Sequence, residues 1–176
     1  MADKKAPEHP PVKREPLAKK LDRAAFSCGY VELDRYIHER ASQEARREIC
    51  AAVVLLEGGD NRVIGYYSLS ATSILLDDLP ENTGQKLPRY PDIPATLLGR
   101  LAVDERYMGG GHGELLLMDA LRRAFQATTD VASFAVVVDP KDKKSRSFYE
   151  HYEFIALPDQ KLRMFLPMST IAGLFT

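Results

Sequence analysis

The chain is short of cysteine, of charge imbalance and of long apolar runs, and each shortage closes off a class of protein. Two cysteines, Cys28 and Cys50, stand among 176 residues with no C-x-x-C spacing. Neither a disulfide framework nor a metal site is expected, and both thiols should be reduced. No apolar stretch reaches the ~18–20 residues of a membrane span, so no contact with a membrane is expected. Lys and Arg number 24 against 25 Asp and Glu, a net charge of −1. Coating of nucleic acid by bulk charge is thereby excluded, while a local basic patch is not. Residues 1–11 are charged and broken by Pro7, Pro10 and Pro11. They lack the apolar segment of a signal peptide, which predicts a cytoplasmic protein. What the chain does have is 45% apolar and 28% charged residues, enough for one well-buried core.

Residues 1–16, with Pro7, Pro10, Pro11 and Pro16 among charges, predict a disordered or loosely extended arm, leaving 17–176 as a single domain. Lys4, Lys5, Lys13, Arg14, Lys19 and Lys20 make this end locally basic. It reads either as a solubilising tail or as a phosphate-contacting arm. Regular structure is expected from Phe26 onward. Leu33, Tyr36, Ile37 and Ala41 recur at helical spacing and predict an amphipathic helix over 31–47. The apolar run 50–57, the turn Gly58-Gly59-Asp60-Asn61 and the run 62–70 predict an antiparallel hairpin. Residues 77–96, with Pro80, Pro88, Pro91 and Pro94, predict a long loop. A strand over 97–103, a glycine loop, a helix over 114–127, a strand over 132–138, a helix over 141–152 and two short strands complete a mixed α/β pattern.

The glycine loop carries the first chemical signal. Gly109, Gly110, Gly111 and Gly113 lie between a strand and a helix. Glycine allows left-handed backbone, successive N–H groups can converge on one point, and the helix start adds its positive dipole end. Such a loop suits a pyrophosphate, or is simply a structural turn. A P-loop is excluded because no Gly-Lys-Ser/Thr follows, and a Rossmann site lacks its second half.

Strand, Asp104-Glu105-Arg106-Tyr107, glycine loop, helix, strand, Asp139, and a helix ending near Phe148-Tyr149 resemble the GNAT acetyltransferases. Phe26-x-Cys-Gly29, Ile64-Gly-Tyr-Tyr-Ser-Leu-Ser70, Leu87-Pro-Arg-Tyr-Pro-x-Ile-Pro94 and Leu98-Gly-Arg-Leu-Ala-Val-Asp104 are similar to the GNAT toxins of bacterial toxin–antitoxin pairs. The resemblance covers about residues 20–168. It implies an α/β (α+β) fold: a mostly antiparallel sheet, flanked by helices, with a central parallel pair splayed to hold acetyl-CoA. Three positions depart from the family pattern: Met108 in place of Gln or Arg, Gly110 in place of a polar side chain, and Glu153 in place of Gly.

The resemblance further implies that main-chain groups of Leu101, Ala102 and Val103 pair with the pantetheine, and that Met108, Gly109, Gly110, Gly111, His112 and Gly113 cradle the pyrophosphate. Asp139 would also face the cofactor. Tyr149 would bind the cofactor and donate a proton to its sulfur; its bland alternative is a packing tyrosine beside Tyr152. His112 reads as a solvent-facing spacer, His38 and His151 as solvated helix residues. Asp104 and Glu105 read as a water-linked proton relay or as helix-entry residues. The implied acceptor is the α-amine of an aminoacyl-tRNA, whose acetylation blocks translation, with Arg46, Arg47, Arg89 and Arg100 as candidate RNA contacts. A cognate ribbon–helix–helix antitoxin would neutralise the protein and carry it to operator DNA, and a homodimer is expected. The alternatives are acetylation of a small-molecule or protein amine, and a non-catalytic antitoxin partner with impaired cofactor binding. No metal is expected.

Overall fold

The computed structural model describes residues 12–18, 20–160 and 162–176. Among the described residues, seven strands lie in one sheet in the order β1-β2-β3-β4-β5-β7-β6. They are β1 (Val12–Pro16), β2 (Ala51–Glu57), β3 (Val63–Leu75), β4 (Asp92–Val103), β5 (Ala135–Val138), β6 (Ile155–Ala156) and β7 (Met164–Pro167). The sheet is mostly antiparallel with one parallel pair, β4 and β5. Helices α1 (Val31–Arg35), α2 (Ala41–Arg46), α3 (Glu81–Gly84), α4 (His112–Ala127), α5 (Lys143–His151) and α6 (Met168–Leu174) accompany it. The chain divides into two compact units interleaved in sequence. One runs through Tyr67 and resumes at Arg100–Leu117; the other comprises Ser68–Gly99 and Met118–Thr176.

In the first unit, ordered structure begins well before Phe26. Val12–Pro16 is a strand rather than part of a disordered arm, paired antiparallel with β2 from Val12–Glu57 to Pro16–Val53. β1 is an edge strand, where proline and charge are tolerated because one side of the ladder is unpaired. The arm expected over residues 1–11 lies outside the described residues. The predicted helix over 31–47 is present, with a change of winding. Between α1 and α2, Tyr36–Arg40 is a π turn in which the Ala41 amide donates to the Tyr36 carbonyl. Widening a helix in this way disturbs its hydrogen-bond ladder. Here the Arg23 guanidinium donates to the Ile37 carbonyl at 3.2 Å and to Ser42 Oγ at 2.8 Å. Leu33, Tyr36, Ile37 and Ala41 are all buried, packed with Phe26, Val54, Leu56, Val63, Tyr66 and Ala102.

In the second unit, β4 starts at Asp92, so residues 92–96 are strand rather than loop. Ile93 and Ala95 are buried while Asp92 and Pro94 are exposed, and this period-2 alternation outweighs the proline. The Pro94 carbonyl still accepts from the Phe134 amide at 2.8 Å. Leu76–Asp78 forms a tight turn and α3 a single helical turn, shortening the expected loop from both ends. Ile93, Ala95, Ala135, Val137, Leu157 and Phe165 form this unit's core.

Two helices end in the same hydrogen-bonded cap, each with a glutamate where glycine is usual. After α2, the Glu48 amide donates to Ala45 and the Ile49 amide to Glu44. After α5, the Glu153 amide donates to Glu150 and the Phe154 amide to Tyr149. Glu48 has φ 58° and Glu153 φ 68°, the left-handed region a Cβ disfavours by ~1–2 kcal/mol. Glu153→Gly relieves that cost but adds unfolded-state entropy of ~0.4–1 kcal/mol. A net gain of about 0.5–1 kcal/mol is expected, seen as a melting temperature raised by ~1–4 °C. An unchanged or lower melting temperature would show that no strain resides there.

Candidate active site

β4 and β5 pair at Thr96–Val136 and Leu97–Val137. β5 has one further residue, Val138, whereas β4 runs on through Leu98–Val103. The strand's direction of hydrogen bonding can be read at its end. The Asp104 amide donates to the Ile64 carbonyl at 2.9 Å. The Ala102 carbonyl comes so close to Gly65 that a Cβ there would sit 3.2 Å from it. Main-chain groups alternate sides along a strand, so Ala102 is turned toward β3, while Leu101 and Val103 point to the opposite side. Of the three residues that the resemblance pairs with pantetheine, Ala102 faces β3, and Leu101 and Val103 face away from it. Gly65 is required for this approach, since its Cβ would also meet Leu116 Cδ1 at 2.9 Å.

The glycine loop leaves this strand through a short 3-10 turn, Glu105–Tyr107. Gly109 and Gly111 both have φ 80°, and a Cβ at either would meet nothing within 4 Å. The loop is therefore glycine for its backbone conformation and for open space above it. It runs directly into α4, a helix of 16 residues whose first side-chain carboxylate is Glu114. Its first-turn amides have no intrahelical acceptor. Met108 to Gly113 carries no acidic side chain, so amide donors, a dipole and open space together fit a pyrophosphate. Met108 is exposed and offers it no charge. His112 departs from expectation. It is 6% exposed, packed edge-on against the Tyr107 ring at 6.2 Å, and is not a solvent-facing spacer.

Asp104 joins the strand end to the loop. It is 1% exposed, and its carboxylate accepts from the amides of Ser27 and Arg106 and twice from the Arg106 guanidinium. Burial alone would raise its pKa, but the Arg106 and Ser27 donors outweigh that and hold it below the usual carboxylate range. It is a helix-entry residue, capping Glu105–Tyr107, and its lone pairs are occupied. Gly29 (φ 89°) lies against Glu105 Oε1, which explains a glycine in the Phe26–Gly29 segment. The Cys28 thiol is pushed up to about 12, chiefly by burial, and is no nucleophile at neutral pH.

In the second unit, Tyr149 is 8% exposed near the end of α5. Its ring packs edge-on against Phe148 and Phe154, each at 5.2 Å. The Phe154 contact is the apolar half of the α5 cap described above. Burial raises the Tyr149 hydroxyl pKa, so the group holds its proton at any physiological pH. Tyr152 packs edge-on against Phe148 and His151. Asp139 is engaged in a two-pronged ion pair with Arg163, at 2.8 and 2.9 Å.

The four candidate arginines separate. Arg46 and Arg47, at the end of α2, and Arg89, in the proline-rich segment, are exposed. Arg100 is not a free surface cation: its guanidinium stacks on the Tyr36 ring at 3.6 Å and pairs with Glu44 at 4.0 Å. His38 and His151 are exposed, as expected. Among the described residues no group of three or more His, Cys, Asp and Glu could hold a metal ion, and no helix is long and apolar enough to cross a membrane. The sequence reading missed Tyr107 and Glu57, whose side chains bond at 2.5 Å. Nothing in their local spacing marks the pair.

Residues 18–154 match the acetyltransferase (GNAT) family, and the chain belongs to that family. A probable toxin TacT from Sinorhizobium fredii is 35% identical over 160 residues, 87% of this chain and 88% of the relative. A tRNA-acetylating toxin from Mycobacterium tuberculosis is 33% identical over 153 residues, 87% and 90% of the two chains. Among solved structures, AtaT complexed with acetyl-methionyl-tRNAfMet has a TM-score of 0.88 at 28% identity, covering 94% of this chain and all of that one (100%). AtaTR bound with AcCoA has a TM-score of 0.83 at 29% identity, over 94% and 98%. The AtaT–AtaR complex bound to DNA has a TM-score of 0.75 at 26% identity, over 93% and 99%.

Proposed function

We propose that this protein transfers the acetyl group of acetyl-CoA to the α-amine of an aminoacyl-tRNA, and acts as a toxin by withdrawing that amine from peptide-bond formation. The observation that carries the reading is near-full-length similarity to a tRNA-acetylating toxin, joined to a glycine loop and strand edge that fit the cofactor. Acetyl-CoA supplies the activated thioester when bound. Amides of the Met108–Gly113 loop and the first turn of α4 bind the pyrophosphate, and Leu101 and Val103 bind the pantetheine through their main chains. Tyr149 keeps its proton because it is buried, and delivers it to the departing sulfur. No dedicated base is needed, since an α-amine of pKa ~7.7–8.0 is already partly neutral at pH 7. A ribbon–helix–helix antitoxin is the proposed neutralising partner and the route to operator DNA, with a homodimeric, cytoplasmic toxin.

A tRNA acceptor makes a demand that a small amine does not. With a net charge of −1, the protein must meet phosphates through local cations, and counterion release makes binding fall steeply with salt. The KM for charged tRNA is expected to rise several-fold between low and moderate salt, and again in Arg89→Glu and Arg46→Glu, with the KM for acetyl-CoA nearly constant. A salt-independent KM in the parent, or better turnover of a small amine, would instead identify a small-molecule acetyltransferase.

A further inference from the structure

The glycine loop faces an entropic problem, and the structure holds an answer to it. Gly109, Gly110 and Gly111 are consecutive, and glycine loses more backbone freedom on ordering than any other residue. A loop that must be ordered by its ligand binds that ligand weakly. Just before the loop, Tyr107 donates its hydroxyl to Glu57 Oε2 at 2.5 Å, which ties it to the end of β2. Just after it, His112 opens α4, buried to 6% exposure, with its imidazole edge-on to the Tyr107 ring at 6.2 Å and 65°. An exposed histidine would be ordinary at a helix start. A buried one, packed on the residue across the mouth of the loop, fixes the separation of the loop's two ends.

We propose that Tyr107 and His112 form a clasp across the base of the glycine loop, ordering its amides before the cofactor arrives. Both are positioning residues: they act through the loop's backbone and touch no reacting atom. The proposal rests on the reading of acetyl-CoA as the loop's ligand. Closing the ends of a short, flexible segment removes conformations that the ligand would otherwise have to remove. Alanine at position 112 removes the ring packed on Tyr107 and so opens the clasp.

Two measurements test the clasp. Amide hydrogen exchange of the ligand-free protein is expected to show faster exchange at residues 109–113 in His112→Ala and Tyr107→Ala than in the parent. Calorimetric titration with acetyl-CoA is expected to give a Kd raised about tenfold in the alanine variants, the loss lying in a less favourable entropy. In Tyr107→Ala the maximal rate at saturating acetyl-CoA should stay within about twofold, because no reacting group is removed. Unchanged exchange and unchanged Kd in the alanine variants would overturn the clasp. If the parent itself binds no acetyl-CoA, the proposed function fails, and the exchange measurement still decides the clasp.

Discussion

Tyr149→Phe is expected to lower the rate of acetyl transfer by ~10²–10⁴-fold, the usual worth of a positioned general acid. Its melting temperature and Kd for acetyl-CoA should remain close to those of the parent. The substitution leaves the packing of residue 149 in place. The ring contacts to Phe148 and Phe154 survive, and so does the main-chain cap in which the Phe154 amide donates to the Tyr149 carbonyl. Only the hydroxyl goes. Burial raises its pKa, so its loss is the loss of a proton source and not of a charge. If the variant retains full turnover, Tyr149 is a packing residue and the proton comes from elsewhere. A smaller melting defect in Tyr149→Phe than in Tyr149→Ala separates packing from chemistry.

The largest effect on stability is expected at Asp104. Asp104→Ala leaves the Ser27 and Arg106 amides without their acceptor and removes a carboxylate that is 1% exposed. Hydrogen bonds to charged groups contribute ~1.5–3 kcal/mol each, though not additively, so a loss on the order of 2–4 kcal/mol is expected. The pH dependence has a definite sign. The folded-state pKa lies below the ordinary value, so the unfolded chain binds the proton more readily. The stabilisation is complete above the unfolded pKa of ~3.9 and is lost as pH falls through the lower folded value. Urea titrations from pH 6 down to pH 2 should therefore show a steeper acid limb in the parent than in Asp104→Ala. Parallel limbs would mean that Asp104 is not specially held in the folded state.

The hairpin of β2 and β3, the glycine loop and α4 were legible because each rests on a local signal: an apolar run with a turn, left-handed glycines, or a 3.6-residue stripe. Elements that depend on remote partners were not. Val12–Pro16 is too charged and proline-rich to read as a strand, and exists as one because β2 offers it an edge. Residues 92–96 alternate as a strand should, but Pro94 suggested a loop. The site divides in the same way. Tyr149 and the loop glycines follow a motif, whereas Arg100 is spent on Tyr36 and Glu44, and Asp139 on Arg163. These pairings join residues far apart in sequence, so spacing could not reveal them. Glu153 is instructive in both respects: the sequence marked it as a departure from glycine, and only the backbone, at φ 68°, shows what the departure costs.

The proposed function stands or falls on the acceptor. Purified protein should be incubated with isotopically labelled acetyl-CoA and a total charged tRNA pool, in parallel with polyamines and lysine-bearing peptides at equal amine concentration. After digestion of the RNA, the label should be found on the α-nitrogen of one or a few aminoacyl-adenosines, with deacylated tRNA giving none. Label confined to the small amines or the peptides, with the aminoacyl-adenosines unmodified, would contradict it.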